Sequence, residues 1–480
     1  MRFPVIVRYT GFVLLLNAAF MLLAAAVSLL QGDEGFWVLT ASAILTAIAG
    51  GTPLPFVKPA DDLTAKEGIG ILVFSWMMSC TFGMLPYLFW GGDFTFINAW
   101  FESVSGYTTT GATVLSNVER LPEGLIFWRS ATHWIGGLGV VVMLVLLLPT
   151  MHNLKIRLAK TEISSLSKGN YKFRVQQTAR VICGMFAGLT VLLCGLLMLA
   201  GMGWFDAVNH AFSTIATGGF STRDASVFAF HNGWIELILA VFMIIAGMHF
   251  GLLYMAFTGN GKPLWKSPAV RFYLTTILMG SVFVSLNLYF SGAYDHPLDA
   301  LRYGAFQVIS IGTTTGFATA DIAQWPPFSS LLLCYFMFQC ACAGSTSGGI
   351  KADRMQILFW SIRGHIRKQQ HPNAVVPTRI GGLTLDNDTV YAVLQFILTY
   401  LVAVFLGMVA LSLLGSDLSV GFSASVACMG NVGPGFGEIS SFGNYGGIHA
   451  LGKLILTFQM LLGRLEIYGL LLFLFVKSWK

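Results

Sequence analysis

The feature that most constrains this chain is a set of long apolar runs, among them 12–30, 181–200 and 454–476. Each run is long enough to cross the roughly 30 Å hydrocarbon core of a bilayer. Only 10% of the 480 residues are charged and the mean hydropathy is +0.71, whereas a soluble domain carries about 25% charged residues. The chain is therefore predicted to be an all-α polytopic membrane protein. A second run at 36–56 follows the first closely, so we expect two spanning helices there and not a cleaved signal peptide.

A short polar motif recurs between these apolar runs. Residues 101–111 and 306–316 share the pattern Phe-x-x-x-Ser-x-x-Thr-Thr-Thr-Gly, and weaker copies lie at 215–221 and 430–435. Four copies in one chain indicate an internal repeat. A single copy would be better explained as a polar turn between helices, but four copies, each after a half-length helix, disfavour that interpretation.

Each copy follows an amphipathic stretch that is too short to span a membrane and lies between two longer apolar runs. The sequence thus predicts four helix–pore loop–helix repeats around a central pore, plus two extra N-terminal transmembrane helices. Irregular backbone at this depth must be covered by protein or water, which a shared axis provides. The predicted divisions are 1–66 for the extra helices, 67–150, 178–260, 268–366 and 386–480 for the repeats, with an intramembrane gate loop in the third.

The charge distribution predicts the orientation of the chain. Basic residues concentrate in the links between repeats, as at 152–180 and 363–379, and at the C-terminus. Acidic residues lie in the loops inside the repeats. By the positive-inside rule the links are cytoplasmic, and ten spans place both termini on that side. The net charge of +6 thus bears on topology and predicts no nucleic-acid partner.

The pore loops carry the chemistry expected of a selectivity filter. A dehydrated monovalent cation needs several oxygen ligands, which backbone carbonyls and nearby threonine hydroxyls supply without net charge. Glycine permits the backbone conformation that turns a carbonyl toward the axis. The predicted potassium filter residues are Thr109, Thr110, Gly111, Ala216, Thr217, Gly218, Thr314, Thr315, Gly316, Asn431, Val432 and Gly433. The weaker copies have fewer hydroxyls, so carbonyls should matter more than side chains.

Three further motifs complete a family resemblance: Trp-Ile-Gly-Gly-Leu-Gly at 134–139, Ala-Gly-Ser-Thr-Ser-Gly-Gly-Ile-Lys at 343–351 and Gly-Arg-Leu-Glu at 463–466. With the pore loops, they make the chain resemble the Trk/Ktr/HKT superfamily of potassium transporters over essentially its whole length. The two extra N-terminal helices resemble the TrkH-type branch. The resemblance implies selectivity for potassium over sodium, with Gly111, Gly218, Gly316 and Gly433 as the filter glycines.

The motif at 343–351 is predicted to be a gate. Glycine and hydroxyl residues interrupt a long apolar run there, which predicts two half-helices joined by a loop, and the resemblance implies that this loop opens or blocks the path. A simple helix kink is the alternative. The gate-loop residues are Gly344, Ser345, Thr346, Ser347, Gly348, Gly349 and Lys351.

Three other polar positions lie in apolar surroundings. Arg464 interrupts the last run, and we expect it to face the pore or to hold the gate loop; a buried ion pair is the alternative. Glu102 either adds negative potential at the outer mouth or accepts hydrogen bonds from a neighbouring loop. His133 and His249 are predicted to be satisfied core histidines. A membrane hydrolase or an organic-solute transporter is disfavoured, since neither a nucleophile–base motif nor a ligand cage is evident.

The predicted function is potassium uptake driven by the membrane potential, and the protein is not expected to be an enzyme. Potassium is the transported ion, with no organic cofactor. The resemblance implies a bacterial inner membrane location, a homodimer, and a soluble TrkA-type regulatory subunit that binds NAD, ATP or ADP on the cytoplasmic face. The basic links are also suited to membrane lipid. A KtrB-like symporter coupled to sodium ions or protons is the alternative.

Overall fold

The computed structural model of the chain describes residues 2–60, 63–147, 171–373 and 376–475. Residues 152–170 of the predicted basic link lie outside the described residues, and so do Met1 and the C-terminal Lys477 and Lys480. The described chain is predominantly helical, as predicted. The strands within it are the two-residue pair Arg379–Ile380 and Leu383–Thr384, which pair antiparallel next to the fourth repeat.

Each of four successive units contains an outer helix, a short pore helix and an inner helix. The outer helices are Ala65–Gly83 with its continuation Leu85–Trp90, Tyr171–Leu199, Pro268–Phe290 and Asn387–Leu413. The pore helices are Phe96–Tyr107, Trp204–Ile215, Pro297–Gly312 and Leu418–Gly430. The inner helices are Glu123–Leu147; Gly233–Ala246 with Phe250–Phe257; Pro327–Phe338 with Ala352–Gln370; and Ala450–Arg464 with Tyr468–Phe475. Short helical turns, at Ser226–Phe230, Ile322–Gln324 and Gly437–Ile439, follow three of the pore loops, and Lys262–Lys266 links the second and third units.

Two extra helices precede the first unit, as the sequence predicts. They are Phe3–Gln31 and Gly35–Gly51, and a short turn at Pro53–Phe56 follows. The first of them packs against the outer and inner helices of the first unit. Asn17 donates to the Ser79 hydroxyl at 2.9 Å across the contact with the outer helix.

Local sequence explains where several helices begin. Thr64 and Glu67 form a capping box at the start of the first outer helix, in which the Glu67 amide donates to the Thr64 hydroxyl at 3.3 Å and the Thr64 amide donates to the Glu67 carboxylate at 2.9 Å. Such reciprocal bonds satisfy amides that have no partner within the helix. Pro268 and Pro297 occupy first helical positions, where a missing N–H costs nothing.

The inner helices of the second, third and fourth units are each broken, although only the third break was predicted. The second inner helix bends by 108° between Ala246 and Phe250, and the fourth breaks at 465–467, where Glu466 and Ile467 have φ values of 58° and 50°. The apolar run that begins at residue 454, expected to cross the membrane as one helix, is therefore broken. By length and composition, six of the helices in the described residues can span a membrane, or seven if the bent pair counts as one.

Candidate ion filter and gate

The four pore loops share one backbone geometry. Each pore helix is followed by a non-glycine residue in the left-handed region, and the next residue donates its amide back to a helix carbonyl. The left-handed residues are Thr109, Thr217, Thr314 and Asn431, with φ values of 51°, 53°, 60° and 53°. The returning bonds are Thr110 N to Ser105 O, Gly218 N to Ser213 O, Thr315 N to Ser310 O and Val432 N to Ala427 O, all at 2.8–2.9 Å. These positions are therefore structurally equivalent in the four units.

This equivalence corrects the register that we predicted for the second loop. Gly111, Gly316 and Gly433 have φ values of 77°, 80° and 96°, and the matching residue in the second loop is Gly219 at 85°. Gly218, predicted as the counterpart of Gly111, is instead equivalent to Thr110. Ala216, predicted within the filter, is the last residue before the left-handed position and is level with Thr108. Two consecutive glycines follow Thr217, so composition alone favoured neither register.

The four glycines join the loops into a closed ring. A Cβ atom at each position would collide with a backbone carbonyl of the next loop, closer than real Cβ contacts come. The distances are 2.1 Å from Gly111 to Gly218 O, 2.0 Å from Gly219 to Thr315 O, 2.3 Å from Gly316 to Val432 O and 2.5 Å from Gly433 to Thr110 O. Each loop thus contacts the next in chain order, and the fourth contacts the first. Only glycine permits this approach and this backbone conformation together.

The loops differ in how they are braced. In the first, the Thr108 and Thr110 hydroxyls hydrogen-bond at 2.8 Å, and in the third the Thr313 and Thr315 hydroxyls do so at 2.9 Å. The second and fourth loops have no such pair. Asn431 instead donates to the Thr110 hydroxyl and to the Met460 carbonyl, both at 3.0 Å.

The gate loop lies directly against these pore loops. The third inner helix ends at Phe338, and residues 339–351 form an irregular segment before the chain becomes helical again at Ala352. The Thr346 hydroxyl donates to the Ile215 carbonyl at 3.2 Å, and the Gly348 amide donates to the Thr314 hydroxyl at 3.2 Å. A Cβ at Gly348 would lie 2.4 Å from the Gly430 carbonyl. The segment therefore touches three of the four pore loops.

The break in the second inner helix receives the start of the gate loop. The Cys342 amide donates to Gly247 O at 3.0 Å, and the Phe250 amide donates to Gly344 O at 3.1 Å. Gly344 lies against His249, since a Cβ there would be 2.6 Å from the imidazole. At the other end of the loop, Gly349 lies against Cys340, since a Cβ at Gly349 would be 2.3 Å from the Cys340 sulfur.

Arg464 of the fourth inner helix also binds the gate loop. It is the last residue of its helix and is 3% exposed. Its guanidinium donates to the Thr346 carbonyl at 2.6 Å and to the Gly136 carbonyl at 3.3 Å. Both acceptors are neutral carbonyl oxygens, so these two bonds do not offset the positive charge of Arg464. Within the described residues, no carboxylate lies within salt-bridge distance of Arg464.

Two more charged groups surround the loop. Lys351 is buried and donates to the backbone carbonyl and the hydroxyl of Ser347, the latter at 3.2 Å. Ser345 and Ser347 share a hydroxyl hydrogen bond at 3.0 Å. Arg354 pairs with Glu466 in the break of the fourth inner helix. Glu466 is thus the partner of Arg354.

Glu102 serves the loop that follows its own pore helix. Its carboxylate accepts from the Val114 amide at 3.0 Å and pairs with Arg129 at 2.7 Å, and both side chains are buried. This geometry supports the second of the two interpretations of Glu102, in which it accepts bonds from a loop. Arg129 was missed in the sequence. Its signal was a lone cation inside the first inner helix, which requires a buried partner.

The two histidines make local contacts. His133 is buried, stacks on Phe220 with ring centroids 4.1 Å apart, and its Nδ1 hydrogen-bonds the Ser213 hydroxyl at 2.7 Å. His249 caps the helix that begins at Phe250, because its Nδ1 accepts from the Gly251 amide at 3.0 Å. No group of three or more potential metal-binding side chains occurs within the described residues.

A helical membrane protein with four like pore loops in a ring, covered by an intramembrane loop, belongs to the class of pore-loop cation transporters. The comparisons agree with this class. The model of the TrkH family, described as "Cation transport protein", matches residues 35–479. The chain therefore belongs to the TrkH family, whose members are transporters and not enzymes.

Relatives of the chain match along its whole length. It is 36% identical to the Trk system potassium uptake protein TrkH of Salmonella typhimurium strain LT2, over 100% of both chains. It is 31% identical to the Trk system potassium uptake protein TrkG of Escherichia coli K12, over 99% of this chain and 98% of the relative. The crystal structure of the potassium transporter TrkH from Vibrio parahaemolyticus covers 100% of both chains with a TM-score of 0.90 and 33% identity.

Proposed function

We propose that this protein takes up potassium ions through the ring of four pore loops. The observation that carries the proposal is the closure of the ring, in which each loop's glycine lies against a backbone carbonyl of the next loop. Carbonyls that meet in this way offer oxygen ligands without net charge, as a monovalent cation requires. The names of the relatives favour potassium as the ion.

The driving force in this proposal is the membrane potential, worth about 2.3 kcal/mol per charge per 100 mV. The distribution of basic residues supports cytoplasmic links and cytoplasmic termini, and the family supports a bacterial inner membrane location. Inward flow then passes from the outer ends of the pore loops to the gate loop. A homodimer and a soluble nucleotide-binding regulator of the TrkA type belong to the same proposal, and both rest on the family.

The gate loop and Arg464 form the closed barrier. Arg464 and Lys351 place two positive charges beside the loop, both hydrogen-bonded to neutral oxygens. A potassium ion that leaves the filter on this side meets their repulsion and the loop itself. Opening requires Thr346 to leave Arg464, and the bond between a charged donor and this carbonyl is worth about 1.5–3 kcal/mol.

Rubidium uptake into proteoliposomes tests the filter. The wild-type protein should accumulate rubidium when a negative internal potential is imposed, and sodium should compete poorly. Gly111→Ser and Gly316→Ser should each remove the preference over sodium, since each side chain would strike a neighbouring carbonyl. A preference for rubidium over sodium that neither substitution changes would contradict the filter assignment. Uptake that requires a sodium or proton gradient at fixed potential would favour the symporter alternative.

Replacement of Arg464 by Ala tests the gate. Loss of its bond to the gate loop should raise flux through the regulator-free protein about tenfold or more, because about 1.4 kcal/mol corresponds to a factor of ten. Arg464→Lys is the matched control, since it keeps the charge on a single donor nitrogen and should raise flux less. Equal flux in all three proteins would contradict this role for Arg464.

A further inference from the structure

A group of exposed basic side chains lies where the third outer helix begins. The linking helix Lys262–Lys266 leads into this spanning helix, Pro268–Phe290. The second half of the third inner helix, Ala352–Gln370, packs beside it, with the ring centroids of Phe272 and Phe359 6.1 Å apart. We refer to six exposed residues of these helices as the basic surface: Lys262, Lys266, Arg271, Arg363, Arg367 and Lys368.

The two helices bring these residues to the same level. The third outer helix runs from a link between repeats toward its pore helix, and the third inner helix runs back to the next link. A helix rises about 1.5 Å per residue, so Arg363 lies about 6 Å beyond Phe359, as Pro268 lies about 6 Å before Phe272. Arg363 is therefore level with the start of the spanning helix. The basic surface lies at the boundary between hydrocarbon and water.

The basic surface has no charge partner within the described part of the chain. None of its six members takes part in an ion pair there. The Arg271 guanidinium donates only to the neutral Lys266 carbonyl, at 3.4 Å. Arg302, which is also exposed, differs because it pairs with Glu236 at 2.7 Å. The positive charge of the basic surface is thus available to an anion from outside the chain.

Large apolar side chains border the basic surface. Phe359, Ile362 and Ile366 are exposed and lie three or four residues apart, on one face of the inner helix. Trp265 and Trp360 are exposed as well, as is typical of tryptophan at a membrane interface. An anionic phospholipid suits both groups of residues, since its acyl chains cover apolar side chains while its headgroup meets cations at the interface.

We propose that the basic surface binds the headgroup of an anionic phospholipid. In the orientation of the proposed function, which is all that this inference takes from it, the surface faces the cytoplasmic leaflet. Anionic lipids of that leaflet attract basic residues next to spanning helices. The lipid phosphate accepts hydrogen bonds from the lysine and arginine side chains, and the acyl chains lie along Phe359 and Ile362. Because Ala352 directly follows the gate loop, the lipid binds the same helix that carries this loop.

Native mass spectrometry of the full-length protein tests the proposal. Detergent-solubilised protein is titrated with dioleoylphosphatidylglycerol and, separately, with dioleoylphosphatidylcholine, which has the same acyl chains and no net charge. The dissociation constant of the first phosphatidylglycerol should be about tenfold lower than that of phosphatidylcholine, because each basic residue favours an anionic headgroup. The triple variant Lys266→Gln, Arg271→Gln and Arg367→Gln should lose most of this preference.

Two matched variants separate this surface from general attraction and from misfolding. Lys58→Gln, Lys66→Gln and Arg180→Gln together remove the same charge from exposed residues elsewhere. This control should keep the preference within about twofold of the wild type, since exposed charges beyond a Debye length are screened. Arg271→Lys with Arg367→Lys keeps the charge and should keep the preference, so a loss in the first triple variant is then due to charge.

Three outcomes would overturn the lipid site: equal affinity of the wild type for both lipids, an equal loss in the two triple variants, or an unchanged preference in the first triple variant. In the third case the same spectra show whether the surface joins two copies of the chain, because the variant's mass would then fall to that of one chain. Absence of rubidium uptake would contradict the proposed function alone, since lipid binding is measured without transport.

Discussion

The first and third pore loops differ from the second and fourth in sequence, yet the four backbones are the same. The first and third are braced from within, by the hydroxyl pairs Thr108–Thr110 and Thr313–Thr315. The second and fourth are braced from outside. Gly218 lies against the His133 ring, where a Cβ would be 2.2 Å away, and Asn431 bonds to the first loop and to the fourth inner helix.

The comparison shows which property the repeats hold in common. Hydroxyl content varies from loop to loop, whereas the left-handed residue and the glycine two positions later occur in all four. The backbone, and with it the direction of the carbonyls, is therefore the repeated feature. Side chains serve to hold that backbone, and each loop does so with the neighbours available to it.

The largest effect on stability is expected when the buried carboxylate that binds the segment after the first pore loop is removed. Glu102→Ala leaves the buried Arg129 without its carboxylate, and breaking a buried pair typically costs about 3–5 kcal/mol. We expect a large fall in the thermal unfolding temperature or a loss of folded protein. Gln307→Ala is the matched control, since Gln307 donates one neutral bond to the Ala320 carbonyl at 2.8 Å in the third loop. It should cost only about 0.5–1.5 kcal/mol. Comparable losses in the two variants would contradict the assignment.

A smaller effect is expected at the external brace of the fourth loop. Asn431→Ala removes two hydrogen bonds, and Thr110→Val removes one of these together with the bond to the Thr108 hydroxyl. Each bond is worth about 0.5–1.5 kcal/mol, so the two variants should destabilise the protein by similar amounts. The double variant should lose less than the sum, because both single changes break the bond between the first and fourth loops. Strict additivity in thermal unfolding would show that this bond contributes nothing.

The smallest effect is expected for the internal brace of the third loop. Thr315→Val removes the bond to the Thr313 hydroxyl and leaves the backbone carbonyls in place. We expect a loss of about 0.5–1.5 kcal/mol and an unchanged preference for rubidium over sodium in proteoliposomes. If the preference fell as far as in Gly316→Ser, hydroxyls and not carbonyls would be the main ligands.

The sequence predicted the features that depend on local composition. The pore helices, the two strong loops and the gate loop all follow from short runs of Thr, Ser and Gly between apolar segments. The register of the second loop does not, because Gly218 and Gly219 are equally suitable in isolation. Only the neighbouring Thr315 carbonyl, 96 or 97 residues further along the chain, distinguishes them.

The breaks in the second and fourth inner helices were not predictable for the same reason. Neither contains proline, and Ile467 is a β-branched residue in a region of φ that such residues rarely adopt. Tertiary contacts hold these breaks: Arg354 pairs with Glu466, and the gate loop bonds to Gly247 and Phe250. The pairing of Glu102 with Arg129 likewise depends on helices that the sequence does not show to be adjacent.

The central claim is that Gly219, and not Gly218, closes the ring in the second loop. Its direct test is the preference for rubidium over sodium in proteoliposomes, with Gly219→Ala compared with the double variant Gly218→Ala and His133→Ala. A Cβ at Gly219 would strike the Thr315 carbonyl at 2.0 Å, whereas the obstacle at Gly218 is the imidazole that the second substitution removes. The account predicts that Gly219→Ala loses the preference and the double variant retains it. Retention by Gly219→Ala together with loss in the double variant would contradict it.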